Sequence, residues 1–344
     1  MAVARAEKPD EPGAVAAAPA GELREWLRDT AIRTYRGENA GILIAAMVVI
    51  IGIFAILLRH TAFLSVDNFL GIVRQTAVIS IMAIATVFVI SAGEIDLSIA
   101  AVIPLAGYWA GLLMPRYGMA FGVFVALAFG AGVGLVNGLI TVLLRVPSFV
   151  VTLGTMGLLQ GLAMVPTNSQ AIVVDHPTFD SWFGGGDVGP VPGLAIWTLA
   201  ATLVGYLVLA WTPAGKAVLA TGANPNAARF SGIRTNLVKV SVMMASGTAG
   251  ALGGLLYVGQ YQGARYDLGS SDLLTVIAAA IIGGTALTGG KGSVIGAVVG
   301  SLLLGAVNNG LIIEGLNVPE QLMFRGGIII AAVVLSARAA RRRT

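Results

Sequence analysis

Two carboxylates stand where an apolar chain tolerates them least. Glu94 and Asp96 lie in Ser-Ala-Gly-Glu-Ile-Asp-Leu-Ser at 91–98, inside the 45-residue run 69–113, which is otherwise almost wholly apolar. An ionised Asp at the centre of a membrane span costs roughly 2.5–3.5 kcal/mol on insertion scales, so two there would need cationic partners. The run is long enough, however, for two spans of about 20 residues joined by a turn. Folding at 91–96 carries both acids to the cytoplasmic surface, where Asp96 is placed to N-cap a helix starting at Leu97. The same residues also read as a hinge or gate made of Gly93, Glu94, Asp96 and Ser98. Gly93 precedes the acids, and Pro104, one or two turns beyond them, is expected to break the helix, as in the discontinuous helices that line transporter pathways.

A second constellation occupies the loop 212–236. Asn224 suits an N-cap, Pro225 the first helical position and Gly232 a left-handed stop, which predicts a helix of about seven residues on the cytoplasmic face. So short a helix has little stability alone in water. It must dock, either on its own bundle or on a soluble partner. A third stretch, 285–293, mimics the phosphate loop G-x-x-x-x-G-K-[ST] but fails twice, with Thr285 for the first Gly and Gly292 for the final Ser/Thr. It also lies between two membrane helices, where the motif needs a preceding strand. Nucleotide binding is not expected of this chain, and ATP that drives it would be held by another subunit.

The other polar residues at membrane depth are few. Asn137, Thr152, Asn308 and Asn309 either hydrogen-bond between helices or line a path for a hydroxyl-rich solute. Arg74 and Arg325 fall near outer helix ends, where long cationic side chains snorkel. Nothing resembles the cluster of acids, histidines or metal ligands that a membrane enzyme gathers at one pocket, and the buried ionisable residues that an ion-coupled carrier needs are scarce. His60 and His176 have no partner at metal-ligand spacing, and there is no cysteine.

These residues are carried by a chain of 344 residues that is 56% hydrophobic and 11% charged, against about a quarter charged in soluble domains. The pattern predicts an all-α, polytopic integral membrane helical bundle of about ten transmembrane helices, at 41–58, 69–90, 97–113, 119–144, 149–165, 193–211, 237–258, 273–287, 293–313 and 321–335; nine spans remain an alternative. Ten spans put both termini on one side, and the positive-inside rule makes that side the cytoplasm. Sixteen of the 21 Lys/Arg then face inward, while the long outer loop at 168–192 has Asp175, Asp180 and Asp187 and no base. The net charge of +4 thus reports topology and not nucleic-acid binding. Residues 1–40 form a separate N-terminal tail, disordered to about 20 with a short surface helix possible at 22–36, and 338–344 a basic cytoplasmic tail around the membrane domain at 41–337. The tail is no cleavable signal peptide, since the first apolar run starts only at Gly41. Among the 46 glycines, Gly130, Gly134 and Gly138 recur every fourth residue, as do Gly292, Gly296 and Gly300, with Gly250 and Gly254 as a shorter pair; such stripes let helix backbones approach closely. Val136-Asn137-Gly138-Leu139-Ile140 is echoed by Asn308-Asn309-Gly310-Leu311-Ile312, as in transporters built from repeats.

Five ordered motifs resemble the permease subunit of bacterial ABC importers for monosaccharides of the ribose/xylose/arabinose type. Gly93-Glu94-Ile95-Asp96-Leu97-Ser98 looks like that family's G-G-I-D-L-S. The stretch from Pro147 through Thr152 to Met156 is similar to its P-x-[FI]-I-[VA]-T-L-G-T-M. Gly222-Ala-Asn224-Pro225-Asn-Ala227-Ala228-Arg229-Phe-Ser231-Gly232-Ile233 is similar to G-x-N-P-x-A-A-R-x-S-G-I. Gly283-Gly284-Thr285 with Gly289-Gly290-Lys291-Gly292-Ser293 resembles G-G-T-S-L-x-G-G-x-G-S, and Asn309-Gly310-Leu311 also fits. Glu94 replaces the family's second Gly and Ala100 stands where Gly is common. The resemblance, from about 68 to 335, implies a type II-like permease bundle that pairs with a second permease copy, identical or not. It implies two ABC ATPase subunits, which hold ATP and magnesium, docked on the cytoplasmic loop, so that this chain needs no cofactor of its own. It implies a periplasmic or lipid-anchored sugar-binding protein that delivers substrate, and a place in the bacterial cytoplasmic membrane, in contact with lipid. In this reading Asn224, Pro225, Ala227, Ala228, Arg229, Ser231 and Gly232 form a coupling helix. The related branched-chain amino-acid importer permease, which shares the architecture, is the alternative.

Overall fold

The computed structural model describes residues 38–165 and 169–341; the disordered tail and surface helix expected before residue 37, and the last residues of the basic tail, lie outside them. The described chain is helical, with two short antiparallel strand pairs. In chain order the helices are α1 (Glu38–Leu57), α2 (Val66–Ser91), α3 (Ile99–Tyr117), α4 (Met119–Leu143), α5 (Ser148–Met164), α6 (Pro177–Phe183), α7 (Gly193–Trp211), α8 (Pro213–Ala223), α9 (Pro225–Phe230), α10 (Thr235–Tyr261), α11 (Leu273–Ile282), α12 (Val294–Ile313) and α13 (Val318–Arg341). Every expected span has a helix in its place. Six of them, α2, α3, α4, α7, α10 and α12, are long and apolar enough to cross a membrane, while α5, α11 and the 47–57 part of α1 are shorter apolar helices. α13 passes the boundary expected at 335 and runs on to Arg341.

Burial sorts the helices into layers. In the most apolar window, 72% of α2 and of α10 is buried, against 22% of α4 and 17% of α7. α2 and α10 therefore make the centre, and α4 and α7 turn broad apolar faces outward, where lipid replaces protein contacts. The glycine stripes explain how α10 reaches the centre. A Cβ on Gly134 would sit 2.1 Å from the Met243 carbonyl oxygen, and one on Gly130 would sit 2.3 Å from that of Gly247. Gly250 and Gly254 bring α10 equally close to the carbonyls of Ile99 and Ile103 on α3, and Gly300 lets α12 touch the Ala279 carbonyl on α11. In lipid, where helices associate through packing, these backbone contacts are what hold the bundle.

The end opposite residue 91 carries two short strand pairs and a short helix. β1 (Ile172–Val173) pairs with β4 (Gly263–Ala264), and β2 (Asp187–Val188) with β3 (Val191–Pro192). α6 is held by a ring stack running Phe179, Phe183 and Trp197, with centroids 4.9 and 5.3 Å apart. Both arginines expected to snorkel have protein partners. Arg74 pairs with Asp187 at 2.8 Å, and Arg325 donates to Asn308 Oδ1 at 3.0 Å.

The fold departs from the sequence expectation in three places. α3 runs unbroken through Pro104; in a packed bundle, neighbouring groups and local adjustment satisfy the backbone groups a proline frees. α11 stops at Ile282 and not 287, because Gly283 crosses the backbone of Gly296 and Ala297, where a Cβ would come within 2.4 Å, and Gly284 turns away at φ +98°. The loop 212–236 holds two helices where one was expected: Thr212 accepts from the Gly215 N–H and Pro213 opens α8.

Candidate functional site: the junction at residues 91–98

The turn between α2 and α3 gathers segments from across the chain. The Ser91 carbonyl accepts from the Gly290 N–H at 2.9 Å, and a Cβ on Gly222 would lie only 1.9 Å from the same oxygen. Gly93, at φ +82°, passes 3.6 Å from the Gly222 Cα, measured from where its own Cβ would be. The Ile95 N–H donates to Ser148 Oγ at 3.0 Å and the Leu97 N–H to Thr152 Oγ1 at 3.1 Å. Glu94 forms an ion pair with Lys239, in the second turn of α10. Asn137 on α4 donates to Ser98 Oγ at 2.9 Å and accepts from Thr155 Oγ1 at 2.6 Å. The sequence segments 93–98, 147–156, 222–233 and 283–293 thus meet within one small volume.

The acids behave differently from the expected surface turn. Both are buried, Glu94 at 6% and Asp96 at 5% exposure. Asp96 does not cap a helix at Leu97: α3 starts at Ile99, and Asp96 Oδ1 accepts from the Ser98 N–H at 2.8 Å and from its hydroxyl at 2.6 Å. The carboxylate still serves a free donor at the helix start, from two residues ahead of the Ser98 N-cap. Burial holds the Asp96 carboxyl above its ordinary value, although hydrogen bonding from Ser246 and Ser98 acts to lower it. Position 94 has no left-handed backbone, unlike Gly93, so a glutamate fits there without strain and its charge is met by Lys239.

The residues singled out for a translocation path divide. Asn137 and Thr152 belong to this junction. Asn309 instead forms a reciprocal amide pair with Asn68, at 2.9 and 3.0 Å, tying α12 to the first turn of α2, and Asn308 accepts from Arg325. The repeated Asn-Gly pairs do parallel work. Each asparagine bonds a polar residue at the start of an earlier helix, and each glycine is approached closely, Gly138 by Val240 and Gly310 by the Phe54 ring.

α9 sits beside the junction. Asn224 Oδ1 accepts from the N–H groups of Asn226 and Ala227 at 3.1 and 3.0 Å, Pro225 is the first residue, and Gly232 ends the turn at φ +84°. Ala228 is buried, Ser231 donates its N–H to the Ala227 carbonyl, and Arg229 donates to Thr235 Oγ1 at 2.7 Å and Asn236 Oδ1 at 3.2 Å. The sequence reading passed over Phe230, which is 94% exposed. The signal was available: a large aromatic in a short, well-capped polar loop has no core of its own to enter.

The model of the family described as "Branched-chain amino acid transport system / permease component" matches residues 68–333. The chain belongs to this permease family. It is similar to the ribose import permease of Escherichia coli, at 34% identity over 84% of this chain and 91% of that protein. It is also similar to the xylose/arabinose import permease of Sulfolobus acidocaldarius, at 34% over 82% and 81%, and to the L-arabinose ABC transporter permease of Azospirillum brasilense, at 32% over 79% and 80%. No solved structure matches the chain significantly. The permease is a multi-pass membrane protein and a transport component, not an enzyme. Its junction is built from the segments that carry the resemblance, so those segments are spatial neighbours as well as sequence motifs.

Proposed function

We propose that this permease is the membrane-spanning subunit of an ATP-driven importer of monosaccharides, and that α9 is where the driving force enters. One observation carries the reading: α9 presents an exposed Phe230 outward while the residues flanking it, Gly222 and Lys239, touch the α2–α3 turn at Ser91 and Glu94. A force on α9 can therefore reach the end of the central helix α2 through its neighbours α8 and α10. Partner ATPase subunits, holding ATP and magnesium, dock on α9; a solute-binding protein delivers sugar to the opposite end; a second permease copy completes the pathway. The junction end and both termini face the cytoplasm. The sugar names of the relatives support a pentose or related monosaccharide, and the family description keeps branched-chain amino acids as the second reading.

The test uses the complete transporter in proteoliposomes with its ATPases and binding protein. Phe230→Asp is expected to lower substrate-stimulated ATPase activity about tenfold or more, a loss of 1.4 kcal/mol or more in docking or coupling, while the subunit inserts normally. Unchanged stimulation would remove α9 from the coupling role. Stimulation by ribose, xylose or arabinose but not by leucine, isoleucine or valine is expected, and the reverse would select the second reading.

A further inference from the structure

Beside the junction lies a cavity of about 280 Å³, bounded by the 141–147 end of α4 with its following turn, by α9 and by the start of α10. Its polar lining is Glu94, Thr141, Arg145, Arg229, Asn236 and Lys239. Three cations face one carboxylate, and that carboxylate is already paired with Lys239. The remaining capacity is for donation. Arg145 makes no hydrogen bond or ion pair among the described residues, and Arg229 uses only its Nε and one terminal nitrogen on Thr235 and Asn236. The Asn236 side-chain oxygen is occupied by Arg229, which leaves its amide N–H groups. Thr141 also borders the cavity, but its hydroxyl oxygen is sealed from it and has no partner. A buried hydroxyl without a partner costs about 1–3 kcal/mol. Arg145 adds a further cost, since it holds a left-handed backbone at φ +56°, which a non-glycine residue adopts at about 1–2 kcal/mol.

We infer that this cavity is a binding site for a small phosphate-bearing anion, held by Arg145 and Arg229. The lining matches the chemistry: donors and positive charge exceed acceptors, and guanidinium groups suit tetrahedral oxyanions. The size matches as well, at the lower edge of the roughly 300–1,000 Å³ typical of ligand pockets, which admits inorganic phosphate or a small phosphate ester. The bound anion also competes with Glu94 for Lys239, so occupancy loosens the ion pair between the α2–α3 turn and α10. The phosphate can be that of a soluble molecule or of an anionic lipid headgroup reaching in from the membrane surface; the lining recognises both alike.

The experiment needs only the purified full-length permease, so its outcome is independent of the coupling role of α9. Permease in nanodiscs of phosphatidylcholine alone is titrated with inorganic phosphate by calorimetry, and lipid retained through purification is measured in parallel. Saturable binding at one site per chain is expected. Arg145→Asn, which keeps a residue suited to the left-handed backbone, and Arg229→Gln, which removes the second guanidinium, should each weaken it about tenfold. Arg59→Gln, outside the cavity, should not. If a lipid headgroup is the occupant, phosphate binding disappears when phosphatidylglycerol is added to the nanodisc, and Arg145→Asn retains less anionic lipid than the unaltered chain. The inference is overturned if phosphate fails to bind in neutral nanodiscs and anionic lipid retention is the same in both proteins. It is equally overturned if both cavity variants bind phosphate as the unaltered chain does.

Discussion

Glu94 is one of two residues, with Ala100, at which this chain differs from the motif it resembles, and the geometry says what that difference entails. Its carboxylate is buried and its partner Lys239 is only partly so, with side-chain exposures of 7% and 23%. A buried pair adds little net stability, but removing one member strands the other. The two deletions are therefore unequal. Glu94→Gly leaves an ammonium that can reach water along its flexible stem, whereas Lys239→Met leaves a carboxylate that cannot. Lys239→Met is expected to lower the thermal stability of the purified permease by about 1–3 kcal/mol, and Glu94→Gly by clearly less. The double variant should recover most of the loss. Equal losses for the two single variants, or simple addition in the double, would mean that the pair is not coupled. The same ordering explains why a glutamate can stand in a position where glycine is the family's habit: no backbone demand excludes it, and a cation is at hand.

At the scale of elements, the crossing of α4 and α10 sets the position of everything around the junction. Along α4, Gly134 meets the Met243 backbone, while Gly132, half a turn away, has nothing within 4 Å. Gly134→Ala must push the helices apart against a rigid carbonyl and is expected to cost about 1–3 kcal/mol. Gly132→Ala should be neutral or slightly stabilising, because alanine favours the helix. Thermal scans of the two variants in detergent decide it, and equal effects would mean that the stripe does not carry the contact. This stripe was legible in the sequence, because a four-residue spacing of small residues has one natural use in lipid. The ten apolar runs were legible for the same reason, and so were the caps of α9, whose Asn224, Pro225 and Gly232 act on their immediate neighbours. What eluded the sequence depends on distance or on context. Pro104 reads as a break, and only the surrounding helices make it tolerable. Lys239 lies well over a hundred residues from Glu94, with no local signal linking them. Asp96 was recognised as serving free N–H groups, yet which donors it serves depends on where α3 begins, and helix starts are the least determined feature of any pattern.

For the whole molecule, the arrangement of charge and the direction of the helices lead to one orientation that can be tested directly. The ten spans expected from the sequence, in alternation, would place the start of α1 and the end of α13 on the same side as the 91–98 turn, α8 and α9. Arg145, Lys216, Arg229, Arg234, Lys239 and Lys291 all belong to loops or helix starts at that end, while Asp175, Asp180 and Asp187 belong to the other. Cytoplasmic loops carry the excess of Lys and Arg, so the junction end should face inward. The chain contains no cysteine, which makes it a ready background for single-cysteine labelling. Phe230 and Trp182 are both exposed, at opposite ends of the bundle. In intact cells a membrane-impermeant maleimide should label Trp182→Cys and spare Phe230→Cys, and in inside-out vesicles the pattern should invert. Labelling of Phe230→Cys in intact cells would reverse the orientation, and with it the side on which an ATPase could reach α9. The result would constrain both earlier proposals, because coupling through α9 and capture of a soluble cytoplasmic phosphate require that end to be inside. A phosphate supplied by a lipid headgroup places no such demand.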